Sequence, residues 1–99
     1  MAQFDLYQNP GGQGFLLDVQ ADIIETIKTR VVVPLLPPQR TLVQTPRLNP
    51  IFEVEGVRYV MVSQALSAVP MSILRKRVDG MARYFDQIRD ALDFLLIGF

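Results

Sequence analysis

Ile51-Phe52-Glu53-Val54-Glu55-Gly56-Val57-Arg58-Tyr59-Val60-Met61-Val62 sets two runs of alternating side chains on either side of one glycine. A period of two sends successive side chains to opposite faces of a strand, and the glycine marks a tight connection, so the stretch predicts a β-hairpin. Beyond it the period changes. Met81, Tyr84, Phe85, Ile88, Ala91, Leu92 and Leu95 recur at steps of three and four, with Arg83, Asp86, Gln87, Arg89, Asp90 and Asp93 on the opposite side. That spacing predicts an amphipathic helix of four to five turns, with Asp79 as its N-cap and Gly98 as its stop. Between hairpin and helix, residues 67–74 read as one more short strand, and Arg75-Lys76-Arg77 as a solvated loop. Met61 and Met71 read as core fillers.

Working back from the hairpin, residues 37–50 hold four prolines among Gln, Arg, Thr and Asn. This excludes a long helix and predicts an extended or turn-rich crossing. Residues 31–36 read as a strand buried on both faces because of the Val31-Val32-Val33 run, with Pro34 marking an edge, a bulge or a strand end. Residues 15–24 read as another strand, in which Ile23 and Ile24 cannot both face one core. Phe4 and Leu6 alternate with polar neighbours before the turn cluster Gln8-Asn9-Pro10-Gly11-Gly12-Gln13-Gly14. Strands followed by one long helix give a β-rich α+β class: a small, partly open antiparallel barrel or sheet with the helix packed on it.

Ninety-nine residues suit one domain, 1–99, whose modest buried fraction would be helped by dimerisation. The chain is 49% hydrophobic, yet its apolar runs fall far short of the roughly 20 residues of a membrane span. Ten basic and ten acidic residues cancel, so no bulk charge favours a nucleic-acid partner. The absence of Cys and His removes disulfides, thiolate nucleophiles, the commonest metal ligand and the commonest general base. No cofactor is expected. The N-terminal residues carry no export pattern, and a cytoplasmic location is expected.

The helix runs into bare hydrophobe, Phe94-Leu95-Leu96-Ile97-Gly98-Phe99. Apolar residues in that position need a partner, whether a groove, a twin subunit or a target. Asp90 and Asp93 sit where the helix dipole disfavours carboxylates, and Asp86 with Asp90 is a like-charge pair at i, i+4. Either this is a solvated polar face with a tolerated penalty, or the two acids flank the tail to meet a basic partner.

Five blocks together carry a family resemblance: Gln3-Phe4; Asp18-Val19-Gln20-Ala21-Asp22-Ile23-Ile24-Glu25; Val32-Val33-Pro34-Leu35; Ser67-Ala68-Val69-Pro70-Met71-Ser72-Ile73-Leu74; and the terminal helix closing on Gly98 and one large apolar residue. In this order and separation the chain resembles the CcdB toxins. The resemblance implies a homodimer of SH3-like barrels, related to the Kid and MazF toxins, each with a long C-terminal helix. It implies a toxin of a toxin–antitoxin module that binds the DNA gyrase A subunit and traps the cleaved-DNA complex, acting as a protein inhibitor of a topoisomerase and not as a catalyst. A CcdA-type antitoxin would wrap it and fold on binding. Carried over by position, the gyrase-facing residues are Ile97, Gly98 and Phe99, the helix residues Arg89, Asp90 and Asp93, and Ile23, Ile24 and Glu25.

The sequence departs from the best-known member at Ile97, where that member has a tryptophan that the resemblance makes a stacking partner for gyrase arginines. A cation–π contact of about 0.5–2 kcal/mol is lost there, though Phe99 offers a ring nearby. Two further functions fit the class. One is an endoribonuclease of the same fold, which needs a general base, an acid and a basic cleft. The other is an inactive relative that only binds antitoxin.

Overall fold

The computed structural model describes residues 2–22, 27–39 and 45–98. Within them a curled antiparallel sheet carries one α-helix. Its strands are β1 (Asp5–Gln8), β2 (Phe15–Asp18), β3 (Thr29–Leu36), β4 (Ile51–Val54), β5 (Val57–Met61), β6 (Ser67–Pro70) and β7 (Arg77–Gly80), followed by α1 (Phe85–Leu96). The strand order is β4-β5-β3-β2-β1-β7, with β6 beside β3. This open half-barrel with a C-terminal helix is the β-rich α+β class the sequence predicts. Among the described residues no helix is long and apolar enough to cross a membrane.

β3 holds the sheet together because it pairs with three strands, β2, β5 and β6. One edge pairs residues 32–35 with β2. The other is divided: residues 29–32 pair with β6, and residues 35 and 36 with β5. Pro34 stands at the division. Its carbonyl accepts the Val62 N–H at 2.9 Å, and a strand residue points its N–H and C=O toward the same edge. The N–H that proline lacks therefore falls in the gap between β6 and β5, where no ladder bond is lost. Pro34 marks an exchange of partners inside a continuous strand, not the edge, bulge or strand end expected of it.

The β4–β5 hairpin forms as expected, in the register Phe52–Tyr59 and Val54–Val57, and turns through Glu55 and Gly56 at φ 53° and 79°. Two positive φ values are those of a type I′ turn, whose twist matches the strands. The β1–β2 loop closes on Gly14, where a Cβ would stand 2.1 Å from the Leu35 carbonyl oxygen. Only glycine lets the loop lie that close to β3.

Alternation splits the apolar residues between the two faces of the sheet. Leu6, Leu17, Val33, Leu35, Phe52, Val54 and Met61 line the inner face and receive Met81, Ile88 and Ala91 from the helical segment. Tyr7, Leu16 and Val32 line the outer face under Leu74. Phe4 ties strand to helix: its N–H donates to the Asp18 carbonyl at 2.6 Å, and its carbonyl accepts the Met81 N–H at 2.8 Å. It does so at φ 70°, at a cost of about 1–2 kcal/mol for a non-glycine residue, offset by burying its ring.

Several boundaries differ from the sequence reading. The strand expected over 15–24 ends at Asp18, because the Gln20 side chain takes the Val31 N–H at 3.1 Å in place of a backbone ladder. Ile23 and Ile24 lie outside the described residues. Arg77 is not loop but the first residue of β7, which pairs with β1 across an irregularity at Leu6 and Tyr7. Asp79 consequently lies in β7 and is not an N-cap. The helix begins at Phe85 after a 3₁₀ turn at Ala82–Tyr84, and its 12 residues make about three turns. Met71 is exposed at the start of another 3₁₀ turn, so only Met61 is a core filler. Phe85 sits at the rim of the expected stripe, with its ring edge-on to Phe4 at 5.6 Å.

Candidate functional site

The outward face of α1 gathers Asp86, Arg89, Asp90 and Asp93 around one open hollow. The three helix residues expected at a partner surface thus stand together, and Asp86 joins them. Arg89 Nε lies 3.7 Å from Asp93 Oδ2, an exposed i, i+4 pair worth a few tenths of a kcal/mol at most.

Asp90 has a stronger partner. Arg47 donates to it through Nε and Nη2, each at 3.0 Å, in the fork geometry that matches a carboxylate. The same guanidinium lies 4.8 Å above the centroid of the Phe94 ring. Its position follows from the turn that carries it. Thr45 accepts the Leu48 N–H at Oγ1 (3.1 Å) and the Asn49 N–H at its carbonyl (2.9 Å), and Ser63 Oγ donates to the Leu48 carbonyl at 2.6 Å. Enclosed behind the turn, Asn49 Nδ2 donates to the Met61 carbonyl at 3.1 Å and to Gln64 Oε1 at 2.7 Å.

This arrangement corrects the view of Asp90 as an acid left open for a basic partner. Its countercharge comes from 43 residues away in sequence, beyond any i, i+4 pattern, and it also relieves the unfavourable carboxylate in the last turns of the helix. Only the cluster of turn formers at 45–50 hinted that a fixed turn stood there.

The end of the helix is built as the sequence predicts. The Gly98 N–H donates to the Phe94 carbonyl at 3.1 Å with Gly98 at φ 91°, a left-handed cap, and the Ile97 N–H donates to the Asp93 carbonyl at 2.8 Å. Leu96 and Ile97 are 68% and 60% exposed beyond the half-buried Phe94 and Leu95. On the other side of Arg89, a groove lined by Gln3, Phe4, Phe85, Leu92 and Asp93 presents the exposed Phe85. Phe99, Ile23, Ile24 and Glu25 lie outside the described residues.

Exposed large apolar groups beside charged side chains on a rigid helix make a surface suited to protein contact. Basic side chains also gather away from the helix face. Arg75 and Lys76 line a second hollow with Gln8, Asn9, Pro10 and Ile73, and that lining contains neither carboxylate nor imidazole to move a proton.

A protein-family model described as CcdB protein matches residues 3–98 of this chain. With almost the whole sequence covered, the chain belongs to the CcdB family, whose members are protein toxins of toxin–antitoxin systems.

Proposed function

We propose that this CcdB-family protein poisons DNA gyrase: as a homodimer it binds the gyrase A subunit and holds the enzyme on cleaved DNA, and a CcdA-type antitoxin neutralises it. The observation that carries the proposal is the exposed Leu96–Ile97 end of α1 standing next to Arg89, Asp90 and Asp93. A poison of this kind works by binding alone. It needs a rigid surface that a partner can desolvate, and a helix fixed to the sheet by the fully buried Ile88 and Ala91 provides one. Burying an aliphatic side chain such as Leu96 or Ile97 contributes about 1.5–3 kcal/mol, which can replace a missing stacked ring. No cofactor enters such a mechanism, zero net charge favours a protein target over direct DNA contact, and the site of action is the cytoplasm, where gyrase works.

A gyrase–DNA cleavage assay with the purified protein tests the proposal, with accumulation of enzyme-trapped double-strand breaks as the expected result. Deleting residues 97–99 should abolish killing on induced expression while antitoxin binding persists. Killing that survives the truncation would sink the mechanism. The endoribonuclease alternative has less support, since the Arg75–Lys76 hollow offers cations without a general base. An inactive relative would bind antitoxin yet leave both DNA and growth untouched.

A further inference from the structure

Arg47 uses Nε and Nη2 on Asp90, and among the described residues its Nη1 meets no protein acceptor. The side chain is nonetheless ordered from three directions: the Phe94 ring beneath, the carboxylate beside, and the 45–49 turn tied to Met61, Ser63 and Gln64 behind. It remains 41% exposed. A guanidinium already fixed in the free protein loses little further freedom when a partner docks, and arginines of this kind are over-represented among the residues that dominate interfaces.

We propose that Arg47 is a specificity-determining residue of the partner-binding surface, directing its free Nη1 to a hydrogen-bond acceptor of the target; this rests on the gyrase reading above. The surface is then composite, made by a helix and a turn far apart in sequence. Its charge pattern also differs from that of the helix alone. Because Arg47 and Asp90 neutralise each other, the centre of the face favours a carboxylate or backbone carbonyl of the partner at Arg47. A partner cation is directed toward Asp86 and Asp93 at the flank.

The test measures binding of the gyrase A subunit to the full-length wild type, to Arg47→Ala and to the charge swap Arg47→Glu with Asp90→Arg, each with a thermal unfolding curve. Arg47→Ala should weaken binding about tenfold. The swap should restore the unfolding temperature, because it keeps an intramolecular pair, and should not restore affinity, because it moves the outward donor. Binding by Arg47→Ala within about threefold of wild type would overturn the proposal. So would a swap that recovers wild-type affinity, since Arg47 would then serve only to hold Asp90. A wild type that does not bind gyrase at all would overturn the functional reading and this inference with it, an outcome distinct from the other two.

Discussion

Arg30 on β3 places Nε 2.8 Å and Nη2 2.7 Å from a single carboxylate oxygen of Asp18 on β2, and both side chains are closed off from solvent. The second Asp18 oxygen accepts the Gln20 N–H at 3.0 Å. Tyr7 lies on the same face, where burial, aided by Asp5 and Asp18, holds its hydroxyl above the ordinary phenol range. Burial also raises the Asp18 carboxyl above its ordinary value, outweighing the lowering by Arg30 and by the Gln20 N–H, with Asp22 adding to the rise.

Arg30→Met should therefore cost about 3–5 kcal/mol near neutral pH, because it leaves Asp18 buried without its cation. The sign of the pH dependence follows from the raised value. Between the unfolded and folded pKa the native state holds more protons, so this group's penalty is fully present above the folded pKa and is relieved as pH falls through that window. Losing Arg30 extends the window upward. Urea unfolding at about pH 7 and about pH 5 should show the variant's deficit shrinking on acidification; a deficit that grows would contradict the account.

Asp79 behaves in the opposite way. The hydrogen bond from Arg83 Nη2, at 3.1 Å, is the largest cause holding its carboxyl below the ordinary value of 3.8, with the Gly80 N–H adding to it and burial opposing. Its stabilising contribution is present above 3.8 and is lost as pH falls through the depressed folded value. Arg83 is exposed and Asp79 only half-buried, so solvent screening limits the pair to less than about 1 kcal/mol. Arg83→Ala should move the Asp79 midpoint up toward 3.8 in an NMR carboxyl titration, and an unmoved midpoint would remove Arg83 as the cause.

Two glycines separate space from conformation. Gly14 and Gly56 share a φ near 80°, but a Cβ on Gly14 meets the Leu35 carbonyl, whereas one on Gly56 meets open space. Gly56→Ala should cost about 1–2 kcal/mol for the left-handed backbone alone. Gly14→Ala should cost about 2–5 kcal/mol, since the loop must also move off β3. Equal losses in denaturant unfolding would show that the close approach carries no energy.

Asn49→Ala strips a buried carbonyl of its donor and releases the turn that aims Arg47, for an expected loss of about 1–3 kcal/mol. Its signature is a change at a distance in sequence: amide and side-chain signals of Asp90 and Phe94, which meet Arg47, should shift in NMR. If those signals stay in place while stability falls, the turn does not position Arg47.

What the sequence made legible was local. The 51–62 hairpin and the stripe of Ile88, Ala91 and Leu92 could be read because a period of two or 3.6 lies within a dozen residues. β7 was missed because Arg77-Val78-Asp79-Gly80 has no apolar alternation and is a strand only through its pairing with β1. Asp79 reads as a cap for the same reason, its side chain being taken by Arg83. At the candidate site spacing placed the helix acids on one face and Gly98 at the helix end, while their assignment as gyrase-facing came only from the family resemblance. Arg47 was not found, since nothing near residue 47 signals the carboxylate it meets after folding.

The divided edge of β3 also governs how the chain must assemble. β2 is already made when β3 appears, but the strands that complete the far edge come only with residues 57–70. Until then a newly made chain presents a long, valine-rich edge, the kind of template on which stray strands dock. Pro34 removes a donor from the middle of that edge at the stage when nothing covers it. Closing a sheet through such distant pairings is slow, on the millisecond-to-second scale of barrel-like domains. The proline that separates two neighbours in the finished sheet thus also leaves that edge one donor fewer for a stray strand to pair with.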